Sequence, residues 1–104
     1  MDKYIIVTTL CDKEEIANKI INTLLEKRLV AGSQLSKVHS KYWWNNELEE
    51  SDEYKLEFRT KESLFTKIEN ELNKIHDYET AEISCLEIMN ANTQFMNWID
   101  NQIN

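Results

Sequence analysis

The sequence predicts one α+β domain of the split β-α-β, or ferredoxin-like, class, with elements in the order β-α-β-β-α-β and one further helix at the C-terminus. Three observations carry that expectation. Two stretches repeat apolar residues at helical spacing: Ile16, Ala17, Ile20, Ile21, Leu24 and Leu25, then Leu64, Phe65, Ile68, Leu72 and Ile75. One stretch alternates strictly, with Tyr54, Leu56, Phe58 and Thr60 against Lys55, Glu57 and Arg59. Strand-like runs stand before and after each helical stretch. The 104 residues suit a single domain, and no linker, repeat or low-complexity segment divides residues 1–104.

The elements follow in order. Tyr4 to Thr9 is a continuous run rich in β-branched residues, as in a buried central strand. Asp12-Lys13-Glu14-Glu15 reads as a capping box, with Asp12 at the N-cap. After the first helix, Leu29-Val30-Ala31 leads into a second strand that runs to about Trp44. Asn45-Asn46 then suits a tight hairpin, because asparagine tolerates positive φ. The alternating third strand ends at Thr60, which is placed to cap the second helix. A fourth strand spans Ile83 to Met89; its apolar positions change face between Cys85 and Leu86, which predicts a bulge or burial on both faces. Asn92 is placed to cap the last helix, with Phe95, Met96, Ile99 and Ile103 inward. Right-handed crossovers put both long helices on one sheet face, strands one and three in the centre and strands two and four at the edges. The other sheet face and the aromatic edge Tyr42-Trp43-Trp44 are left uncovered, so a stable monomer is not expected.

Composition narrows function. A formal net charge of −7 with no local Lys/Arg cluster argues against a nucleic-acid partner. The acidity suits a cationic ligand as well as plain solubility. One glycine, Gly32, and no proline exclude the glycine-rich phosphate loops of simple nucleotide enzymes. No apolar run of signal-peptide or membrane-spanning length follows Met1. The expectation is therefore a cytoplasmic chain that is not in a membrane and keeps Cys11 and Cys85 as free thiols.

Chemistry concentrates in His76-Asp77-Tyr78-Glu79-Thr80-Ala81-Glu82-Ile83, a loop between helix and strand. Two readings of His76 stand: a copper or zinc ligand flanked by oxygen donors, or a structural histidine. No His-x3-His or Cys-x2-Cys spacing preorganises a metal within one chain. Cys11, in the turn before a helix N-terminus, is the reactive or copper(I) candidate, since the helix dipole favours thiolate. Cys85, mid-strand, reads as a small core residue. Trp43 and Trp44 read as interface anchors, although with Tyr42 they could line a pocket instead. His39 reads as an exposed strand residue. Nothing places a nucleophile beside His76, Tyr78 and Glu79, so an enzyme is not expected.

From about Tyr4 to Ile103 the chain resembles the CutA family of divalent-cation tolerance proteins. Leu29-Val30-Ala31 is similar to the family's Leu-Ala-Ala, and Tyr42-Trp43-Trp44 to its Tyr-Trp-Trp. Arg59-Thr60 stands where Lys-Thr is frequent. The His76–Ile83 segment resembles His-Pro-Tyr-Glu-x-Pro-Glu-Ile, and Phe95-Met96-Asn97-Trp98-Ile99 resembles the Tyr-x-x-Trp-Leu ending. The resemblance implies a tight homotrimer similar to PII-type signalling trimers and a link to tolerance of copper and other divalent ions, with no defined reaction. Of the candidate metal ligands His76, Cys11 and Glu79, only His76 is carried over by the resemblance; Cys11 is a candidate from its place before a helix N-terminus and Glu79 from its place near His76 in the loop. Tyr42, Arg59, Tyr78 and Glu82 are the candidate lining of a small-ligand cleft, and Trp43 and Trp44 the interface. No resident cofactor is implied beyond copper or another divalent cation. Asp77 and Ala81 replace both family prolines. Gly32 and Thr8 stand where members carry cysteine, so those thiol ligands do not carry over and His76 does. Two functions remain, metal homeostasis and a PII-like sensor of a small ligand, with a ligand-free structural trimer as a third.

Overall fold

The computed structural model describes all residues, 1–104. Strand β1 (Tyr4–Cys11) is followed by helix α1 (Glu14–Glu26) and two long strands, β2 (Gly32–Trp44) and β3 (Glu47–Lys61). A 3-10 turn (Glu62–Leu64) leads into α2 (Phe65–Ile75), then β4 (Ile83–Glu87) and α3 (Thr93–Gln102). The antiparallel sheet has the order β2-β3-β1-β4, which is the predicted topology.

Register explains the core. β1 pairs with β3 so that Ile5, Val7, Thr9 and Cys11 lie opposite Thr60, Phe58, Leu56 and Tyr54. The two sets share one face, since cross-strand partners point the same way. That face packs against Ala17, Ile20 and Leu24 of α1 and Ile68 and Leu72 of α2, all fully buried. The opposite face carries Ile6, Thr8, Leu10, Lys55, Glu57 and Arg59, as the alternation of β3 predicts. No helix is long and apolar enough to cross a membrane.

Turns are made without glycine. Asn45 and Asn46 both take positive φ, 51° and 63°, and close a two-residue hairpin between Trp44 and Glu47. α1 ends in a Schellman motif: Leu29 N–H donates to the Leu24 carbonyl at 3.0 Å and Arg28 N–H to that of Leu25 at 3.0 Å. The residue that takes φ +57° there is Arg28. Gly32 serves close approach instead. A Cβ built on it would lie 3.0 Å from the Trp98 ring, where α3 comes over the end of the sheet.

The predicted caps do not form. α1 begins one residue later than the Asp12 capping box requires, with Lys13 at the N-cap and no side-chain bond. Thr60 remains inside β3, where its hydroxyl donates to the Leu29 carbonyl at 2.6 Å. The turn after β3 is held by Asp2, whose carboxylate accepts from Ser63 N–H at 3.0 Å. Asn92 is at the N-cap of α3, but its side chain bonds Gln94 and not the backbone.

β4 is shorter than expected and pairs with β1 without a bulge from Ile83 to Glu87. It is an edge strand that the two long helices leave bare, so Cys85 is exposed and is not a core residue. Leu86 and Met89 are also exposed. Cys85 pairs with Val7, four residues along β1 from Cys11, a separation of about 13 Å that no disulfide spans. Both thiols are free, as predicted.

Candidate functional site

The loop after α2 is tied to the sheet by one buried hydroxyl. Thr9, fully buried on β1, donates its proton to the Glu82 carbonyl at 2.7 Å. Thr9 Oγ1 also lies 2.7 Å from His76 Nε2. A hydroxyl has one proton, so Nε2 must carry the hydrogen of that contact. His76 Nδ1 is then the unprotonated nitrogen, and it is closed to solvent with no hydrogen-bond partner. Burial holds the imidazole below the usual histidine value, against the smaller opposing effect of Asp77. Asp77 itself is engaged by Lys13, which lowers its carboxyl pKa.

Tyr78 stacks on His76 with ring centroids 5.9 Å apart and donates its phenolic O–H to Glu53 Oε2 at 2.7 Å. Burial, and next the Glu53 carboxylate, push the phenol far above its usual value, so Tyr78 is a permanent hydrogen-bond donor. Glu53 is only 8% exposed and makes no ion pair with any Lys, Arg or His of the chain.

Between this loop and the β2–β3 hairpin runs an open groove of about 780 Å³. Its aromatic lining is Tyr42, Trp43, Trp44 and Tyr78, and its carboxylates are Glu49, Glu53, Asp77, Glu79 and Glu82, with Lys41 the one basic side chain. Three of the four expected cleft residues, Tyr42, Tyr78 and Glu82, therefore meet. Arg59 does not. It pairs with Ile6, four residues along β1 from the groove residue Leu10, about 13 Å away.

Cys11 also departs from expectation. It is the last residue of β1, fully buried in the core, and not part of a turn. Burial pushes its thiol above the usual value, opposing thiolate formation. Within the chain no group of three or more His, Cys, Asp or Glu side chains is arranged to hold a metal ion. His76 and Glu79 share a loop without forming such a group.

Two features escaped the residue-by-residue reading. One is the buried Glu53. The other is His39, whose Nδ1 and Nε2 lie 2.7 Å from Asp52 and 2.7 Å from Glu50. Both carboxylates raise its pKa, Asp52 first. Counting outward from the Asn45-Asn46 turn places His39 opposite Asp52, so that signal was present.

The chain matches the family model described as CutA1 divalent ion tolerance protein over residues 5–102. It is similar to the divalent-cation tolerance protein CutA of Thermotoga maritima, at 38% identity over 91% of this chain and 94% of that one. The protein of the same name from Pyrococcus horikoshii is 30% identical over 91% of this chain and 93% of its own length. Among solved structures, the periplasmic divalent cation tolerance protein CutA of Archaeoglobus fulgidus superposes with a TM-score of 0.94 at 26% identity, covering 97% of this chain and 99% of that one. A family match across nearly the whole chain, joined to the topology and the His76–Ile83 loop, makes this chain a member of the CutA1 divalent ion tolerance protein family.

Proposed function

We propose that the protein serves divalent-cation homeostasis as a cytoplasmic homotrimer that binds copper(II) weakly at His76 and catalyses no reaction. The carrying observation is the lone pair on His76 Nδ1, which no donor in the chain engages; because that atom is closed to solvent, a metal would reach it only through movement of the loop that follows His76. Neutral imidazole with nearby carboxylates is a nitrogen and oxygen donor set that suits copper(II). Copper(I) would need soft thiolate, and Cys11 is buried and held protonated. Because one chain assembles no set of three ligands, the remaining donors would come from a second subunit. Exposed Trp43, Leu48 and Leu86 and the bare β4 edge support assembly. Two free thiols suit a reducing compartment.

Calorimetric titration with copper(II) tests the metal. His76→Ala is expected to remove most of the binding while leaving the native mass unchanged. Since burial lowers the His76 pKa, the ring stays neutral below ~6.5, the ordinary histidine value. Binding should therefore persist below that pH, and fade only as His76 and the carboxylates protonate. A His76→Ala protein that binds copper(II) as well as the parent would make His76 structural. The second reading, a PII-like sensor of a small ligand, is favoured by the groove itself.

A further inference from the structure

We infer that the sheet face left bare by the two long helices is a self-complementary contact between copies of this chain, in which Glu57 of one copy meets Arg59 of the next. This contact rests on the homotrimer reading and names the face and the charges that set its register. Three observations point to it.

The first is the pairing of the strands. On the bare face Arg59 lies between Gly32 and Ile6, Glu57 between Gln34 and Thr8, and Lys55 between Ser36 and Leu10. Cross-strand neighbours are the side chains that ordinarily offset a charge on a sheet. Here each of those neighbours is uncharged. None of Lys55, Glu57 and Arg59 takes part in an ion pair of the chain. Along β3 the three alternate in sign at a spacing of about 7 Å.

The second is burial. Lys55, Glu57 and Arg59 are each partly buried already in the single chain. Arg59 Nη1 is closed to solvent and has no acceptor. A guanidinium withdrawn from water in this way ordinarily has a carboxylate beside it. Since Nη1 is closed, that carboxylate meets the rest of the fork from the open side of the sheet.

The third is a contrast within one strand. Lys61 is the next β3 charge on this face, opposite Tyr4. Helix α3 covers that end of the sheet. Its Asp100 accepts from the Tyr4 hydroxyl at 2.8 Å and pairs with Lys61 at 2.5 Å. Where an element of the chain covers the face, the charge has its partner. Beyond α3 the charges stand alone, and Leu86, in the same cross-strand row as Arg59, is 70% exposed. A second copy of the face brings an acid for Arg59, a base for Glu57 and apolar surface for Leu86. A partner of a single charge sign matches only half of that pattern.

The test is the association of the full chain, read as mass against concentration by sedimentation. The dilution series is carried down to where the parent begins to dissociate. Arg59→Glu and Glu57→Arg each bring like charges together and should weaken association about tenfold or more. The exchange variant that carries both substitutions restores opposite charges and should return to within severalfold of the parent. If circular dichroism shows that a reversal variant does not fold, Arg59→Gln and Glu57→Gln are read instead. Each should weaken association severalfold, and the double variant no more than either alone. Folded single variants that associate as tightly as the parent would overturn the contact. So would an exchange variant no tighter than the single reversals. A parent that is monomeric at every concentration would overturn the homotrimer reading, and the contact with it.

Discussion

Thr9→Val is expected to lower stability by about 2–4 kcal/mol, although it preserves shape and β-branching. It leaves two groups without their partner, the His76 Nε2–H and the Glu82 carbonyl. Each unsatisfied buried group costs roughly 1–3 kcal/mol. Against a total of about 5–15 kcal/mol for a domain of this size, that is a large fraction. Urea unfolding of both proteins at one protein concentration checks it. The midpoint should fall by ~1–2 M with the slope unchanged. Thr9→Ser, which keeps the hydroxyl, should lose less than Thr9→Val. Equal midpoints for Thr9→Val and the parent would show that this hydroxyl does not hold the loop.

The second large effect concerns assembly. The exposed run Tyr42, Trp43 and Trp44 and the uncovered sheet face motivate the proposal of a homotrimer. Light scattering at micromolar concentration should then give three times the 12.4 kDa chain mass. Buried aromatic anchors at interfaces are typically worth ~2 kcal/mol or more each. Trp43→Ala with Trp44→Ala should therefore shift the mass toward the single chain at the same concentration. A parent protein that scatters as a monomer would remove the trimer and any metal site shared between subunits.

Local pattern carried most of the fold into the sequence. The period of two in Tyr54–Arg59, the two helical stripes and Asn45-Asn46 all act within a few residues, so topology, core and hairpin were legible. The site was legible in part. Its loop stood out, but its partners did not. Thr9 reaches His76 across 67 positions and Tyr78 reaches Glu53 across 25. Such pairs depend on how far β1 slides against β4 and on the path of the loop, and neither leaves a local mark. Cys11 and Cys85 exchanged roles for the same reason. Burial follows which strand the helices cover, so the end of a central strand is dry and the middle of an edge strand is wet. The caps failed because Asp12 lies one position outside the helix frame and Thr60 found a carbonyl of its own.

The two-residue turn at Asn45-Asn46 also orders events in time. β2 and β3 pair from that turn outward, each step adding neighbours already close in sequence, as hairpins do within about 1–10 μs. β1 and β4 meet only after more than seventy residues have been gathered between them. The long ribbon is therefore an early structure and the His76 loop a late one. With no proline in the chain, no slow isomerisation phase of tens to hundreds of seconds intervenes. Pulsed hydrogen exchange during refolding should protect amides of Lys41–Glu50 before those of Ile83–Glu87. The reverse order would show that the sheet nucleates at β1 and that the hairpin waits for it.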